Sequence, residues 1–324
     1  MVEYVGKSQS FKKVLQLIDR VKDSDVPVLI LGESGTGKEI VARTIHESGK
    51  RQRSRFTAVN CGAIPDYLLE SELFGFARGA FTGAFRNRPG LIEEAHTGTF
   101  FFDEIGDLSI HLQAKLLRVL QEKETRRIGE NHVRPVDVRF ISATNKDVEK
   151  EIENGRFRED LYYRLKIIAI ELEPLRKRRE EILFFLNYFR KRYCEQQNRT
   201  EPRFSNEALG RLINYSWPGN IRELQNEIQR CLILGGDDNV IREDILSAKI
   251  NPHQESISNL YDLYQARADF EKKFISEALK RRNFHRFRTA QDLGLSRQGL
   301  FKLIKKYHIE VPRYNGEKSG LNKA

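Results

Sequence analysis

A glycine-rich segment between a short apolar run and a helical stretch constrains this chain more than any other feature. Residues 26–31, Val-Pro-Val-Leu-Ile-Leu, are typical of a buried parallel strand, and residues 38–46 are typical of a helix. Glycines between a strand and a helix let backbone N–H groups turn toward an anion, and the helix N-terminus adds a favourable dipole. The pattern G-x-x-x-x-G-K predicts a phosphate-binding loop in which Lys38 reaches the β- and γ-phosphates. The loop residues are Gly32, Glu33, Ser34, Gly35, Thr36, Gly37 and Lys38.

A second apolar run, Thr99 to Phe102, is followed directly by Asp103 and Glu104. Ligands of α/β proteins bind at the carboxyl ends of the strands, so both carboxylates should lie beside the phosphate-binding loop. The pattern predicts that Asp103 holds Mg²⁺, directly or through water, and that Glu104 polarises the water that attacks ATP. Glu39, directly after the lysine, is also expected to belong to the nucleotide site. It stands where such loops usually carry Ser or Thr, so the direct ligands of the metal stay open.

The order of apolar runs predicts the fold class. Runs at 56–59, 99–102 and 138–142 alternate with helical stretches, which predicts an α/β doubly wound parallel sheet with helices on both faces, over residues 1–172. Strand signals end near residue 174. The stretches 183–193, 206–215, 221–234 and 242–250 are typical of helices, which predicts an all-α subdomain over 173–250. A polar, aperiodic linker over 251–261 and a helical C-terminal domain with a polar tail over 262–324 complete the prediction.

Charge and cysteine content narrow the functional classes. The net charge is +10, and residues 263–324 hold 15 lysines and arginines against 6 aspartates and glutamates, which favours a polyanion partner for the C-terminal domain. Cys61, Cys194 and Cys231 are too few and too widely spaced for a disulfide framework or a metal site. No run approaches the ~18 apolar residues of a membrane span, and no signal-peptide pattern opens the chain, so we expect a cytoplasmic location.

Six residues between the two predicted ATP motifs offer one apolar side chain and one hydroxyl on a backbone rich in small residues. They are Gly79, Ala80, Phe81, Thr82, Gly83 and Ala84. Glycine weakens helices and strands, so the segment predicts a mobile loop that presents Phe81 and Thr82 outward; the alternative is an ordinary turn with Phe81 in the core. Together with the flanking ATP motifs, the segment resembles the GAFTGA loop of bacterial sigma-54-dependent activators, which are AAA+ proteins. The resemblance covers residues 3–250 and implies an AAA+ ATPase core with a helical lid. It also implies that the six-residue loop of the core contacts sigma-54.

The resemblance also implies roles for polar residues at the ends of other strands. Asn60 matches the position proposed in the family to hold the catalytic glutamate, although an Asn in a turn is the simpler interpretation of the residue alone. Thr144 and Asn145 resemble the sensor I position, where a polar side chain detects the γ-phosphate. Arg222, in Trp-Pro-Gly-Asn-Ile-Arg-Glu-Leu, resembles sensor II, which contacts nucleotide from the lid.

Two arginines in a predicted helical segment, Arg158 and Arg164, match the arginine fingers of the same family. Fingers of this kind reach the γ-phosphate bound by a neighbouring subunit and contribute a factor of ~10³–10⁵ to turnover. A finger supplied in trans requires a closed ring, which in this family is a hexamer or a heptamer. Without the resemblance, two surface arginines would be interpreted as solvated side chains.

The C-terminal domain contains two short helical stretches separated by a turn at Gly294. Ser296 is expected to cap the second helix, and Ala290, Leu293, Leu295, Leu300 and Ile304 to form a small core. The pattern resembles a Fis-type helix-turn-helix, with an earlier helix near 263–279 that forms a dimer; a three-helix protein-interaction module is the alternative. Gly299 and Leu303 depart from the family pattern, which leaves the base contacts open. The residues expected to contact double-stranded DNA are Arg297, Gln298, Lys302 and Lys305.

These expectations combine into one functional prediction: an ATP- and Mg²⁺-dependent ring that binds enhancer DNA and remodels the closed complex of sigma-54 RNA polymerase into an open complex. A DNA-binding regulator without sigma-54 contact would lack an intact loop, and an unfoldase or replication-loading ATPase would carry a different axial loop. Because the ATPase motifs start almost at Met1, the sequence predicts no N-terminal regulatory domain. Control by a separate regulatory protein, or removal of a regulatory domain, are both compatible with that start.

Overall fold

The computed structural model describes residues 8–235, 239–251, 263–282, 284–309 and 311. Contacts divide the chain into two compact units, Met1–Leu246 and Ser247–Ala324. The predicted linker, apart from Asn251, and the polar tail from Pro312 lie outside the described residues.

A sheet of five parallel strands forms the centre of the first unit. The strands are β1 (Val28–Gly32), β2 (Phe56–Asn60), β5 (Thr99–Asp103), β8 (Arg139–Thr144) and β9 (Ile168–Leu172), and they lie in the order β2-β5-β8-β1-β9. Strand β5 is buried on both faces, because Phe100 and Phe102 pack in one core while Phe101 packs in the core on the other side. This double burial is the reason for an uninterrupted apolar run rather than an alternating one.

Helices cover both faces of this sheet, which confirms the doubly wound α/β prediction. They are α1 (Gln9–Val21), α2 (Lys38–Ser48), α3 (Asp66–Phe74), α4 (Leu91–Glu94), α5 (Ile110–Glu122), α6 (Val148–Glu153) and α7 (Glu159–Leu165). Two short antiparallel pairs project from the connections, β3 (Gly75–Phe76) with β4 (Arg88–Pro89), and β6 (Glu124–Arg126) with β7 (Val133–Pro135). Each member of these pairs is two or three residues long, too short to leave a periodic pattern in the sequence.

The rest of the first unit is mainly helical, with α8 (Glu180–Gln196), α9 (Asn206–Asn214) and α10 (Asn220–Leu234). Two details of the prediction are wrong. Strands do occur here, as a parallel pair of two residues each, β10 (Arg203–Phe204) and β11 (Val240–Ile241). The predicted helix at 242–250 is a short 3₁₀ turn, Glu243–Ile245, followed by further turns. The pattern was misleading because the buried residues Leu246 and Ile250 are four positions apart, a spacing that also fits one face of an α-helix.

The second unit contains α11 (Leu263–Arg281), α12 (Arg286–Asp292) and α13 (Arg297–Lys306). Its core consists of Ile275, Leu279, Ala290, Leu300 and Tyr307, with Leu293, Leu303 and Ile304 packed against it. The prediction for Leu295 is wrong, because this side chain is 36% exposed. Its backbone N–H bonds the carbonyl oxygen of Ala290 across the turn at Gly294, which directs the side chain away from the core.

All three cysteines are buried thiols. Burial raises the pKa of each, to about 12 for Cys231. Among the helices that the structure describes, none combines the length and the apolar character needed to cross a bilayer.

Candidate functional site

The phosphate-binding loop connects β1 to α2 in the predicted position. Gly35 and Gly37 have φ angles of +78° and +100°, a region that favours glycine. Lys38 is 5% exposed, and its Nζ donates to the carbonyl oxygen of Gly32 at 2.9 Å. The same ammonium lies 3.3 Å from Oε1 of Glu104. The loop therefore holds its lysine at the edge of the sheet, beside the carboxylate predicted to act on water.

Glu104 bridges two parts of the site. It follows the last residue of β5 with a φ angle of +52°, which turns its side chain away from the strand axis. Oε1 faces Lys38, and Oε2 accepts a hydrogen bond of 3.0 Å from the backbone N–H of Asn145. The side chain of Asn145 is exposed, whereas Thr144 is buried and its Oγ1 accepts from the N–H of Lys146. The segment predicted to act as sensor I thus contacts the candidate catalytic glutamate through its backbone.

Asn60 contacts a different carboxylate from the one expected. Its Nδ2 donates to Oδ2 of Asp103 at 3.1 Å, so the prediction that it holds Glu104 is wrong in this structure. Register gives the reason, since Asn60 and Asp103 are direct partners on β2 and β5, whereas Glu104 lies beyond the end of the strand. Burial, followed by repulsion from Glu104, raises the pKa of Asp103, while Lys38 and Asn60 act in the opposite direction.

The helical part of the first unit packs directly on the loop. Arg222, exposed on α10, donates to Oγ of Ser34 at 3.1 Å. The N–H of Ile221 donates to the carbonyl oxygen of Gly35 at 3.0 Å. A Cβ on Gly35 would lie 2.3 Å from the carbonyl oxygen of Gly219, so only glycine fits there. Arg222 therefore lies directly beside the phosphate-binding loop.

Asn220 is a site residue that the sequence analysis missed. Its side chain is fully buried, accepts from the N–H of Leu175 at 2.8 Å and donates to the carbonyl oxygen of Ser34 at 3.0 Å. It also donates to Glu33, whose carboxylate is paired with Arg176. The φ angle of Asn220 is +53°, which is uncommon for a residue other than glycine and marks this position as special. A φ angle is visible only in the structure, so nothing in the sequence indicated this role.

These elements surround a pocket of about 190 Å³. Carboxylate oxygens are the ligands that Mg²⁺ prefers, and Asp103 and Glu104 both line the pocket next to the ammonium of Lys38, so the donor set fits a magnesium–triphosphate. In the described part of the chain no group of three His, Cys, Asp or Glu side chains could hold a metal alone, so phosphate and water would complete the coordination. Glu39 lines the pocket but is paired with Arg43 at 2.8 Å. The lining residues are Ser34, Gly35, Gly37, Lys38, Glu39, Ile40, Asp103, Glu104, Ile221, Arg222 and Gln225.

The two candidate finger arginines lie outside this pocket. Arg158 precedes the first residue of α7 rather than lying within a helix, and its guanidinium is paired with Asp160 at 2.6 and 3.0 Å. Arg164 is exposed, with a 3.4 Å contact to the carbonyl oxygen of Leu120. The structure therefore brings Lys38, Asp103 and Glu104 together and leaves both arginines on the surface.

Gln113, on α5, is a second positioning residue that the sequence did not reveal. It is fully buried, and its Nε2 donates to the carbonyl oxygens of Leu108 and Arg156 at 2.8 and 3.0 Å. Its Oε1 accepts from the backbone N–H of Arg158 at 2.8 Å. One amide side chain thus fixes the backbone that carries the first arginine.

The six-residue loop extends from the β3–β4 pair and is closed at its base. The N–H of Gly79 donates to the carbonyl oxygen of Ala84 at 2.8 Å, and Gly79 and Gly83 have φ angles of +83° and +103°. Thr82 is exposed, and Phe81 is 47% exposed, with its ring 5.0 Å from that of Phe76 in an edge-on contact. The loop therefore presents its aromatic and hydroxyl side chains outward rather than burying them in the core.

In the second unit, the expected N-cap is confirmed, because Oγ of Ser296 accepts from the N–H of Gly299 at 3.0 Å. Leu303 is packed against the core, so the departure from a basic residue at this position reflects an inward-facing side chain. All four residues expected to contact DNA are exposed on α13: Arg297, Gln298, Lys302 and Lys305.

Three family models match the chain. Residues 4–171 match the Sigma-54 interaction domain, residues 176–261 match the AAA+ ATPase lid domain, and residues 266–307 match the Fis family of bacterial regulatory proteins. In order along the chain, the three matches correspond to the α/β sheet, to the helical part that packs on the phosphate loop, and to the helix-turn-helix.

Curated relatives and solved structures agree with these matches. The transcriptional regulatory protein ZraR of Klebsiella oxytoca is 43% identical over 91% of this chain and 67% of its own length. The hydrogenase transcriptional regulatory protein HoxA of Bradyrhizobium diazoefficiens is 45% identical over 91% of this chain and 62% of its own length. The crystal structure of NtrX from Brucella abortus in complex with ATP superimposes with a TM-score of 0.72 and 34% identity, covering 95% of this chain and 70% of that one. The chain spans between about half and two thirds of the length of the curated relatives it matches.

The matched domains, the geometry of the phosphate site and the intact outward-facing loop lead to one assignment: the chain belongs to the family of sigma-54-dependent AAA+ transcriptional activators that carry a Fis-type helix-turn-helix.

Proposed function

We propose that the protein hydrolyses ATP in a ring of identical subunits and uses the energy to remodel the closed complex of sigma-54 RNA polymerase at promoters. One observation carries the proposal: a single folded unit holds the Lys38–Glu104 site and also presents Phe81 and Thr82 on a loop closed at its base. A regulator without sigma-54 contact would not need such a loop, and the exposure of Thr82 supports contact with a partner.

In the proposed reaction, Lys38 binds the β- and γ-phosphates, and Glu104 orients and polarises water for attack on the γ-phosphorus. Asp103, held by Asn60, would bind Mg²⁺, which neutralises developing phosphate charge when bound. Arg222 would contact the nucleotide from the lid, and Arg158 and Arg164 would reach the γ-phosphate of the neighbouring subunit. The contact of Glu104 with the N–H of Asn145 gives the γ-phosphate site a direct link to the end of β8.

We further propose that the second unit binds double-stranded enhancer DNA as a dimer in the cytoplasm. The four exposed polar side chains of α13 support a major-groove contact. On α11, Phe270 and Phe274 are 67% and 55% exposed and stack on each other with ring centroids 5.8 Å apart, which supports a dimer contact along this helix.

The loop assignment is tested by the variant Thr82→Ala, because removal of an exposed hydroxyl leaves the nucleotide site intact. We expect ATP turnover close to that of the original protein and loss of open-complex formation at a sigma-54 promoter, measured by permanganate reactivity of melted thymines. Arg86→Ala, which removes an exposed side chain just beyond the loop, is the control. Unchanged promoter melting in the Thr82 variant would contradict the assignment.

A further inference from the structure

One aromatic side chain lies among the basic residues of the recognition helix. Phe301 on α13 is 56% exposed, although its neighbour Leu300 is 1% exposed in the core. An isolated exposed aromatic is common on protein surfaces, so its exposure alone carries no conclusion. Its position relative to the charged residues is what matters.

Helical spacing places Phe301 in the middle of the predicted DNA-contacting face. Residues four apart on a helix lie in one row, so Arg297, Phe301 and Lys305 form a row, with Gln298 and Lys302 in the adjacent row. Leu300, Leu303, Ile304 and Tyr307 occupy the opposite side, against the core. Any duplex that contacted the flanking cations would therefore lie over the ring of Phe301.

The surroundings of Phe301 favour an anionic partner over a protein partner. A cavity of about 510 Å³ opens beside the ring. Its lining residues are Arg286, Arg297, Gln298, Leu300, Phe301, Lys302 and Ile304. Three of these seven residues are cationic, three are apolar and none is acidic. An apolar side chain surrounded by positive charge complements the major groove, where phosphates flank base edges and the C5 methyl group of thymine is the principal apolar feature.

We propose that Phe301 reads a thymine methyl group in the major groove, while the neighbouring Arg297, Lys302 and Lys305 hold the phosphate backbone and other base edges. The inference rests on the proposed DNA-binding function and makes it more specific: each half-site contains a thymine whose C5 methyl group packs on the ring. Gln298, one turn earlier on the adjacent row, is placed to accept from and donate to an adenine edge.

Replacement of thymine by deoxyuridine tests this contact, because it removes only the methyl group. Duplexes are first enriched from a random library with the full chain, and each thymine of the enriched site is then replaced singly. Burial of one methyl group predicts that one position in each half-site weakens binding about fourfold in the original protein. In Phe301→Ala the same replacement should have no effect, whereas Phe301→Leu should retain part of the discrimination.

Lys302→Ala is the matched control from the same face. It should weaken binding to thymine and deoxyuridine duplexes equally and reduce the salt dependence by about one phosphate contact, because a lysine–phosphate contact carries no methyl discrimination. Circular dichroism of each variant checks the fold, which an exposed side chain should not disturb. Two results would overturn the inference while leaving the proposed DNA binding intact. One is an enriched site in which no thymine is sensitive to replacement by deoxyuridine, and the other is a sensitivity that persists in Phe301→Ala. Failure to enrich any duplex would overturn the proposed DNA-binding function and this inference with it.

Discussion

Glu33 and Arg176 form a two-point ion pair that joins the phosphate-binding loop to the segment leading into the lid, with N–O distances of 2.5 and 2.7 Å. Hydrogen bonding to Arg176 is the main cause that lowers the pKa of Glu33. Asn220 donates to the same carboxylate at 3.2 Å, so two parts of the helical subdomain converge on one side chain of the loop.

We predict that Glu33→Gln accelerates the dissociation of ATP several-fold, because the lid loses its charged anchor on the loop while the phosphate ligands remain. Stopped-flow displacement of a fluorescent ATP analogue measures the rate. Glu151→Gln is the control, since it removes a two-point pair with Arg156 that lies outside the site. Equal dissociation rates in the two variants would contradict a role for Glu33 in holding the lid.

Arg158→Ala should reduce ATP turnover by a factor of ~10³ with nucleotide binding unchanged, if this side chain stabilises transition-state charge in a neighbouring subunit. Arg156→Ala removes an exposed arginine two positions earlier and should have little effect. Rings mixed from Arg158→Ala and Lys38→Ala subunits contain some interfaces with both groups intact, so mixing should restore part of the turnover. Absence of recovery at every ratio would argue against action in trans.

Gly129→Ala should impair promoter opening more than ATP turnover. This glycine lies between β6 and β7, and a Cβ added there would come within 2.6 Å of Cβ of Ala80 in the loop. Gly155→Ala is the matched control, because both glycines have positive φ angles, +82° and +67°, yet a Cβ at Gly155 meets no atom within 4 Å. Similar open-complex yields from both variants would indicate that only backbone strain matters, and not the contact with the loop.

The thermal stability of the protein should fall as the pH drops below about 6.5, in part because of His46. Burial is the main cause that lowers the pKa of this residue, which bonds Oγ1 of Thr99 through Nδ1 at 2.9 Å. A folded-state pKa below the unfolded value means that the unfolded chain binds more protons, so stability is full above the unfolded pKa and is lost as the pH falls. Scanning calorimetry between pH 5 and 8 should give a weaker pH dependence for His46→Gln. Parallel curves for both proteins would rule out His46 as a contributor.

The sequence predicted the parts of the site that depend on local order. A strand, a glycine loop and a helix in succession place Lys38 correctly, and two carboxylates after a buried strand place Asp103 and Glu104 beside it. The helix cap at Ser296 is local in the same way. Each of these features depends on residues that are a few positions apart in the sequence, so a short sequence motif is enough to predict it.

Features that depend on contacts between distant segments were not predictable. The register between β2 and β5 determines which side chain Asn60 contacts. The positive φ angle of Glu104, at the end of β5, determines which groups its carboxylate can contact. The roles of Gln113 and Asn220 come from hydrogen bonds to segments 43 and more residues away. The periodicity of apolar residues in the sequence does not indicate which distant segments form these hydrogen bonds.

The burial of the three cysteines has a practical consequence for measuring whether the loop moves. Thiolates are the reactive form of cysteine, and raised pKa values inside the core keep Cys61, Cys194 and Cys231 protonated at neutral pH. A maleimide dye should therefore react selectively with a single new thiol introduced by Thr82→Cys, without prior removal of the natural ones. The chain is suited, as it stands, to fluorescence recording of loop position during the nucleotide cycle.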